Sequence, residues 1–311
     1  KPPRTERRDF RGRVRTLLTG FGFTETVNYS FSSRRSVDQL QLGAQDRRRR
    51  TVALLNPLTE EQSVMRTTLA AGLMETVRRN LTRQMRDLKI FEIGKVFIDT
   101  EGGQLPEEIE FLAGVQTGRR SALAWHSEDA SCDFYDIKGA VEGLLEGLSV
   151  ESVGFTRLAD ADCDYFRPGR SAQIRAGEGV IGTAGEVHPA VMRNFDLDQT
   201  VFLFEIDLER LRRCVPAAVC AAPIPRFPAV SRDITLILDE ALEARQVLEQ
   251  LTEMNEPLME KVVLFDVFTG RPIPEGKKSL SFRIVYRSHE RTLEDEPVNR
   301  QIGRASCRER V

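Results

Sequence analysis

Glu186 and His188 are the two side chains whose types and spacing come closest to a catalytic pair. Residues two apart on a strand project from the same side, so a carboxylate and an imidazole at this spacing can act as general base and acid. No nucleophilic residue lies at a spacing from them that would indicate a catalytic site. Because Pro189 follows directly, we interpret His188 as a structural turn residue. An enzyme that uses His188 with Glu186 remains an alternative.

Positive charge is concentrated between residues 271 and 291, where Glu275 and Glu290 are the opposing carboxylates. The positive residues are Arg271, Lys277, Lys278, Arg283, Arg287 and Arg291. Arg283 and Arg287 fall on one face of a predicted strand, an arrangement suited to phosphate contact or base stacking. The same side chains can form salt bridges to a predicted acidic helix around Glu249 and Glu253, and spacing alone leaves both interpretations open.

A second basic run, Arg47 to Arg50, follows a polar loop. Consecutive arginines can contact the phosphates of a nucleic acid. Charge runs in loops are more often solvated, so we interpret this run as an exposed loop rather than as a binding site.

Length and charge limit the class of protein. The chain has 311 residues, enough for two domains of about 150 residues each. Its 45 lysines and arginines against 47 aspartates and glutamates give a net charge of −2, so any nucleic-acid site has to be a local patch. No apolar run approaches the roughly 20 residues that cross a bilayer, and no signal peptide opens the chain. Because the first residue is Lys1, we expect a piece of a longer protein.

The cysteines are scattered, odd in number and without a Cys-x-x-Cys pair. They are Cys132, Cys163, Cys214, Cys220 and Cys307. This pattern predicts neither a disulfide framework nor a zinc site, and we expect no metal ligands in the chain. Reduced cysteines are typical of the cytoplasm, which is the predicted location.

The elements that position these residues are organised around the segment from Leu54 to Arg83. Asn56-Pro57 ends an apolar run, and a helix is predicted after Thr67. Its apolar residues recur every four positions and therefore share one face: Leu69, Leu73, Val77 and Leu81. Small residues at 70–72 let another backbone approach closely. Periodicity alone favours an ordinary core helix, and a helix at a subunit interface is the alternative.

Apolar spacing predicts the other elements of the first domain. A helix runs from Phe10 to Leu18, ends at Gly20 to Gly22, and leads into a strand from Phe23 to Phe31. Further strands are predicted at 111–117 and 201–207. A helix between them begins near Asp133 and Asp136, whose negative charges suit a helix N-terminus. The first domain therefore mixes helices and strands.

An alanine- and proline-rich stretch at 217–224 marks a predicted linker. Beyond it, alternation predicts strands near 234–238, 261–268 and 280–286, a helix at 247–254, and a last helix capped by Thr292. The order β-α-β-β-α is one strand short of a ferredoxin-like unit. Residues 302–311 look like a translated sequencing adapter, so we expect an incomplete domain with an unpaired sheet edge.

Two sets of motifs carry a family resemblance. The first set comprises Asn56-Pro57-Leu58, Met65-Arg66-Thr67, Gly72-Leu73 and the run from Leu88 to Phe97; the second comprises Pro225 to Asp233, Leu264 to Phe268 and Gly276 to Leu280. Together they resemble the beta subunit of bacterial phenylalanine–tRNA ligase. The resemblance implies the α+β class, with a non-catalytic class II synthetase-like antiparallel sheet domain at 1–216 and a truncated ferredoxin-like anticodon-binding domain at 225–301.

The resemblance also implies that the chemistry lies elsewhere. In catalytic relatives an arginine that grips ATP phosphate follows a strand like Gly94 to Phe97, but Ile98 stands at that place here. Gly114 to Gly118 is a weak match to the third motif. The implied site for ATP and Mg²⁺ is therefore in the alpha subunit, with no cofactor bound to this chain. The editing domain and magnesium-binding carboxylates of the family lie upstream of the region that matches.

The implied partners are the alpha subunit, in a heterotetramer of two alpha and two beta chains, and tRNA(Phe), with no membrane. Because tRNA is an implied partner, the resemblance favours tRNA binding over salt bridges for the basic set between Arg271 and Arg291. The first class II motif implies a subunit interface formed by Met65, Arg66, Leu69, Gly72, Leu73 and Val77. A free-standing RNA-binding regulator built from the same two domains remains an alternative. In that protein the face from Leu69 to Leu81 would be satisfied within one chain.

Overall fold

The computed structural model describes residues 6–100, 105–162, 164–218, 223–253, 258–288 and 290–293. The chain divides into two units, Lys1–Val219 (unit 1) and Cys220–Val311 (unit 2), and each is described by itself. Within the described residues, no helix is both long and apolar enough to cross a bilayer.

Unit 1 combines helices with the strands of one large sheet. Its helices are α1 (Glu6–Gly20), α2 (Ser36–Gln39), α3 (Ala70–Leu81), α4 (Phe134–Gly147), α5 (Pro189–Asn194) and α6 (Leu208–Cys214). Its strands are β1 (Thr24–Glu25), β2 (Phe31–Ser32), β3 (Val64–Met65), β4 (Leu88–Ile98), β5 (Glu107–Thr117), β6 (Val153–Arg157), β7 (Phe166–Ala176), β8 (Gly179–Val187) and β9 (Val201–Asp207). The predicted α+β class is confirmed.

The large sheet has seven strands in the order β1-β4-β5-β9-β8-β7-β6. The short strand β1 is parallel to β4, and every other neighbouring pair is antiparallel. β2 and β3 pair with each other as a separate ribbon. The predicted antiparallel sheet domain is thus confirmed.

Both faces of the seven-stranded sheet are covered, which explains why its central strands are apolar at successive positions. Phe91, Leu112 and Phe204 point into a core shared with α1, α4 and α6. Their sequence neighbours Ile90 and Ala113 point into a second core, which is shared with α2, α3 and α5. The period-two alternation of a strand assigns each neighbour to the opposite face.

Local sequence sets the ends of two helices. α1 ends in a Schellman motif, in which the amide of Gly22 donates to Thr19 and that of Phe23 donates to Leu18. Gly22 has φ +85°, a conformation that glycine adopts without strain. α4 begins with a capping box formed by Asp133 and Asp136, in agreement with the predicted N-terminus.

The strand predicted from Phe23 to Phe31 is wrong as a single element. It is two strands of two residues each, β1 and β2, which belong to different sheets. The chain leaves β4 after Thr26, whose amide donates to the Phe91 carbonyl. Asn28 then bonds to Glu92 through both its backbone and its side chain. Hydrophobic periodicity takes no account of polar contacts such as these, so it did not predict where the strand is interrupted.

Unit 2 contains β10 (Val230–Asp239), α7 (Ala244–Glu253), β11 (Met259–Phe268) and β12 (Lys277–Tyr286). Its antiparallel sheet has the order β10-β12-β11, and α7 packs on one face of it. The predicted order β-α-β-β is confirmed. Met254, the helix predicted after Thr292, and the tail at 302–311 lie outside the described residues. Within the described part, β10 pairs with β12 on one side and has no neighbour on the other.

Candidate nucleic-acid and subunit interfaces

The sheet of unit 2 has one covered face and one open face. Leu280 and Phe282 of β12 pack under α7, so the alternate residues of the strands face the other way. The open face carries exposed apolar side chains next to small polar ones. Its exposed apolar residues are Ile237, Val263, Phe265 and Phe268. Phe265 lies at a bulge of β11, where the register with β12 shifts between Leu264 and Asp266.

Arg283 occupies the middle of this open face. Its Nε and Nη2 donate to the two carboxylate oxygens of Asp233 on β10, at 2.8 and 2.7 Å. Its guanidinium carbon lies 5.1 Å from the centre of the Phe265 ring, a cation–π distance. The hydrogen bonds and charge of Arg283 lower the pKa of Asp233. A planar cation and an aromatic ring are thus held side by side on a half-exposed surface.

Three other residues of the predicted set lie at the two ends of β12: Lys277 and Lys278 begin the strand, and Arg287 directly follows its last residue, Tyr286. Lys277 pairs with Asp239 at 2.8 Å, and Lys278 donates to the Glu240 carbonyl. Arg287 is only 22% exposed and is held by Glu260 and by the carbonyl of Phe227. Arg287 therefore fixes the strand end and is not free to bind phosphate.

Two members of the predicted set, Arg271 and Arg291, are exposed, and their guanidinium groups have no partner among the described residues. The alternative pairing of the set with an acidic helix is wrong where it can be tested. The carboxylates used are Asp233, Asp239 and Glu260 on the strands. Glu249 of α7 pairs with Arg245 of the same helix. The side chain of Glu253 is outside the described part.

The apolar face of α3 is buried inside unit 1. Leu69, Leu73 and Val77 have no exposed surface and belong to the core beneath the seven-stranded sheet. They are therefore unable to touch another chain, which corrects the predicted interface for these three residues. The periodicity is satisfied by the sheet, because a core face and an interface face have the same sequence pattern.

Arg66 is also a core residue rather than an interface residue. Its Nη1 lies 2.6 Å from Glu92 of β4, and its Nε donates to the Lys95 carbonyl. Glu92 accepts further hydrogen bonds from Asn28, which in turn accepts one from Thr76 of α3. This buried network joins α3 and the loop after β1 to β4.

Met65 and Gly72 are partly exposed and lie at the margin of unit 1. Gly72 borders a groove of about 900 Å³, named here the α3 groove, and a Cβ at Gly72 would press on Asn28. The groove is also lined by Val27, Tyr29, Phe31, Arg35, Arg78 and Arg79. Val27 and Tyr29 are largely exposed, as are Leu55 and Leu58 in the segment between β2 and β3. Sequence pattern missed these residues, because Tyr29 and Phe31 were expected to lie in a continuous strand.

The run from Arg47 to Arg50 was predicted to be a solvated loop, but Arg48 and Arg49 form ion pairs. Arg48 is ion-paired with Asp46 and Asp164, and its guanidinium carbon lies 5.3 Å from the centre of the Tyr165 ring. Burial raises the pKa of Asp164. For Asp46, burial alone would raise the pKa, but the hydrogen bonds and charge of Arg48 outweigh it and lower the pKa. Arg49 pairs with Asp38.

Glu186 and His188 do not form a catalytic pair. His188 caps α5, where its Nδ1 accepts from the Ala190 amide at 3.1 Å, and Pro189 begins that helix. The interpretation of His188 as a structural residue is confirmed. Glu186 is buried and is bound by Arg167 and Arg170.

The seven-stranded sheet of unit 1 buries an acidic side chain on its central strand and an apolar one at the end of β4. Glu205, on the central strand β9, is buried and already accepts hydrogen bonds from the Thr68 hydroxyl, the Leu69 amide and the Tyr165 hydroxyl. Ile98, the last residue of β4, is buried. Among the described residues, no group of three or more histidine, cysteine or acidic side chains is arranged to hold a metal ion.

Comparison with known proteins gives two family matches. Residues 1–208 match the model of the phenylalanyl tRNA synthetase beta chain CLM domain. Residues 225–308 match the ferredoxin-fold anticodon binding domain.

Curated relatives named phenylalanine–tRNA ligase beta subunit match nearly the whole chain. The protein of Geobacter sulfurreducens is 41% identical over 287 residues, which are 92% of this chain and 36% of that protein. The protein of Syntrophotalea carbinolica is 42% identical over 93% of this chain and 36% of its own length. That of Geobacillus kaustophilus is 39% identical over 93% and 35%, respectively. The chain thus spans about a third of the length of these relatives.

Among solved structures, pyrrolysyl-tRNA synthetase from Desulfitobacterium hafniense is similar with a TM-score of 0.51 and 15% identity. The similarity covers 66% of this chain and 67% of that one. At this identity the likeness is one of fold, and it identifies the class II synthetase architecture.

Proposed function

The chain belongs to the family of phenylalanine–tRNA ligase beta subunits, and from this we propose that it is a non-catalytic part of the enzyme that joins phenylalanine to tRNA(Phe). In this proposal ATP and Mg²⁺ act in the alpha subunit, since the sheet of unit 1 is filled by its own side chains. Unit 1 assembles with the alpha subunit, and unit 2 binds the anticodon stem and loop.

The observation that carries the proposal is the open face of unit 2. Single-stranded bases bind by stacking on exposed aromatic rings, while arginines contact the backbone or stack on the bases. Phe265 and Phe268 are exposed rings on this face, and Arg283 is held against Phe265 by Asp233. A fixed ring and cation lose little side-chain entropy on binding. We infer that unpaired bases of the anticodon loop stack here.

Binding of the whole chain to a fluorescently labelled transcript of tRNA(Phe), measured by anisotropy, tests this inference. Phe265→Ala is expected to raise Kd about tenfold, because stacking on an aromatic side chain contributes about 1–3 kcal/mol per base.

Val267→Ala is the matched control. Val267 lies on the same strand and is 56% exposed, against 51% for Phe265. It pairs with Leu280, whose side chain faces α7, so Val267 belongs to the opposite face. We expect its Kd to be that of the unmodified chain. Equal effects of the two substitutions would contradict base stacking on the open face.

The apolar face of α3 is buried and therefore unavailable to another subunit, so the α3 groove is the candidate surface for assembly. Its exposed apolar residues Val27, Tyr29 and Phe31 lie beside Arg35 and Arg79. Aromatic and arginine side chains of this kind are enriched at protein interfaces. We propose that the alpha subunit covers this groove.

A free-standing RNA-binding regulator is the second candidate, and one observation favours it. The face from Leu69 to Leu81 is satisfied within a single chain, as such a regulator requires. The two proteins differ in their need for an alpha subunit: a regulator binds tRNA and remains alone, whereas a ligase subunit forms a heteromer.

A further inference from the structure

β7 contains an excursion that brings two arginines to one carboxylate. Phe166 pairs with Val187 of β8, and the next paired residue of β7, Ser171, is opposite Gly185. Five steps along β7 therefore match two steps along β8, and residues 167–170 bulge out of the ladder. Gly169 at φ +75° allows the chain to reverse within the bulge. Bulges of this kind re-aim side chains and are frequent next to functional sites.

The carboxylate is Glu186 of β8, which is 5% exposed. Nη1 of Arg167 lies 2.7 Å from one of its oxygens, and Nη1 of Arg170 lies 3.1 Å from the other. One negative charge thus holds two positive charges, which leaves a local excess of one. The Nε and Nη2 groups of both arginines have no partner among the described residues, and the side chains are 45% and 60% exposed.

Two carboxylates that precede the bulge in the chain are already paired with other arginines. Asp160 pairs with Arg157, at 3.4 Å, and Nη2 of that arginine approaches the bulge at Gly169. Asp164 is bound to Arg48. Arg86, elsewhere on unit 1, instead pairs one-to-one with Asp198.

We propose that Arg167 and Arg170 form a phosphate-binding site for the sugar–phosphate backbone of tRNA, on unit 1 and separate from the anticodon-binding face of unit 2. Arginine donates two parallel hydrogen bonds to a phosphate, and both guanidinium groups are already fixed by Glu186. Both side chains are about half exposed at the surface, which favours a polymer backbone over an enclosed free nucleotide. This inference rests on the proposed function, because it takes tRNA as the ligand.

The test compares the salt dependence of tRNA binding by the whole chain and two variants. Arg170→Gln removes the excess charge and leaves Arg167 paired with Glu186, so the buried carboxylate keeps a partner. Loss of one phosphate contact lowers the slope of log K against log salt by about 0.7–0.9 and weakens binding about five- to eightfold at 0.1 M salt.

The control is Arg86→Gln, which removes an arginine of similar exposure, 50%, from a one-to-one pair. It is expected to leave the slope unchanged. A lower slope in Arg170→Gln alone supports the site. Equal slopes in both variants and in the unmodified chain, or an equal fall in both variants, would overturn it. If the unmodified chain shows no salt-dependent tRNA binding at all, the proposed function fails, and the inference with it.

A second variant keeps the outcome clear if Arg170→Gln reduces folding. Arg167→Gln, Arg170→Gln and Glu186→Gln together replace every charge of the cluster by a neutral group of similar size. This variant should lower the slope by at least as much as Arg170→Gln while its circular dichroism stays native. A native spectrum with an unchanged slope would also overturn the proposal. Inorganic phosphate at millimolar concentration then serves as a competitor. If it weakens tRNA binding only as much as chloride does at equal ionic strength, the result agrees with a backbone contact. If phosphate competes selectively, the site binds the free anion, and the proposal is contradicted.

Discussion

Arg66→Met tests whether Arg66 is a core residue of unit 1 or a residue of a subunit interface. Arg66 is buried, lies 2.6 Å from Glu92 and donates to the Lys95 carbonyl. Methionine has a similar reach without the charge, so the substitution leaves Glu92 buried with only Asn28 as a donor. Removal of one partner from a buried ion pair costs about 3–5 kcal/mol, because the remaining charge loses its compensation. Natural domains have about 5–15 kcal/mol of stability in total.

The assay is urea unfolding of the isolated chain, followed by circular dichroism, with hydrogen exchange of the α3 amides to assign the change to unit 1. We expect the free energy of unfolding to fall by about 3–5 kcal/mol in Arg66→Met. The double variant Arg66→Met with Glu92→Gln should recover most of this loss, since it leaves no unpaired charge. Arg86→Met, which breaks an exposed pair with Asp198, should change it by at most about 1 kcal/mol. If the isolated Arg66→Met chain keeps its stability and only loses assembly with another subunit, the assignment of Arg66 to the core is wrong.

Three further predictions concern the packing of unit 1. Leu73→Ala should lower the free energy of unfolding of the isolated chain by about 2–5 kcal/mol in urea. Leu58→Ala, at a residue 91% exposed, should change it by at most about 0.5 kcal/mol. Similar values for the two variants would contradict the buried face of α3. Asp133→Ala should cost about 1 kcal/mol through loss of the capping box, and a thermal melt with an unchanged Tm would argue against that cap. Burial, together with the charges of Asp136 and Asp133, raises the pKa of the Cys132 thiol to about 11 from 9.0, so its stabilising contribution is complete below about pH 9 and is lost as pH rises through 11. Mass-resolved thiol labelling at pH 8 should therefore modify the partly exposed Cys214 before Cys132, and the reverse order would contradict the burial.

Hydrophobic periodicity predicted the parts of the fold that bury apolar area. The four-residue spacing from Leu69 to Leu81 places α3, and the alternation in β10 and β12 places the sheet of unit 2. The same signal favoured a core helix for the α3 face, and this is confirmed. The interface was implied by the family resemblance, and periodicity could not rule it out, because a helix buried against a sheet and a helix buried against another subunit show one pattern. Arg66 forms buried hydrogen bonds with Glu92 and Lys95, which explains why this residue of the family motif lies in the core of unit 1.

Long-range polar contacts were not predictable from local sequence. Arg66 and Glu92 are separated by 26 residues, and Arg48 and Asp164 by 116, so neither pairing has a local pattern. From sequence alone, a run of four arginines indicates a solvated loop. The ion pairs were not predictable because distant segments of the chain supply some of the carboxylates. Of the candidate tRNA-binding residues, Arg283 was predicted on the correct face, while its neighbour Phe265 was missed because it lies at a bulge.

The measurement that tests the central claim most directly is the light-scattering mass of this chain after mixing with the alpha subunit of Geobacter sulfurreducens phenylalanine–tRNA ligase. A ligase beta subunit is expected to elute with the alpha chain as a single species heavier than either protein alone. Tyr29→Glu, which puts a charge into the α3 groove, should dissociate that species while the variant remains folded. If the unmodified chain is folded and elutes at its own mass beside a free alpha subunit, the assignment as an assembling subunit is contradicted.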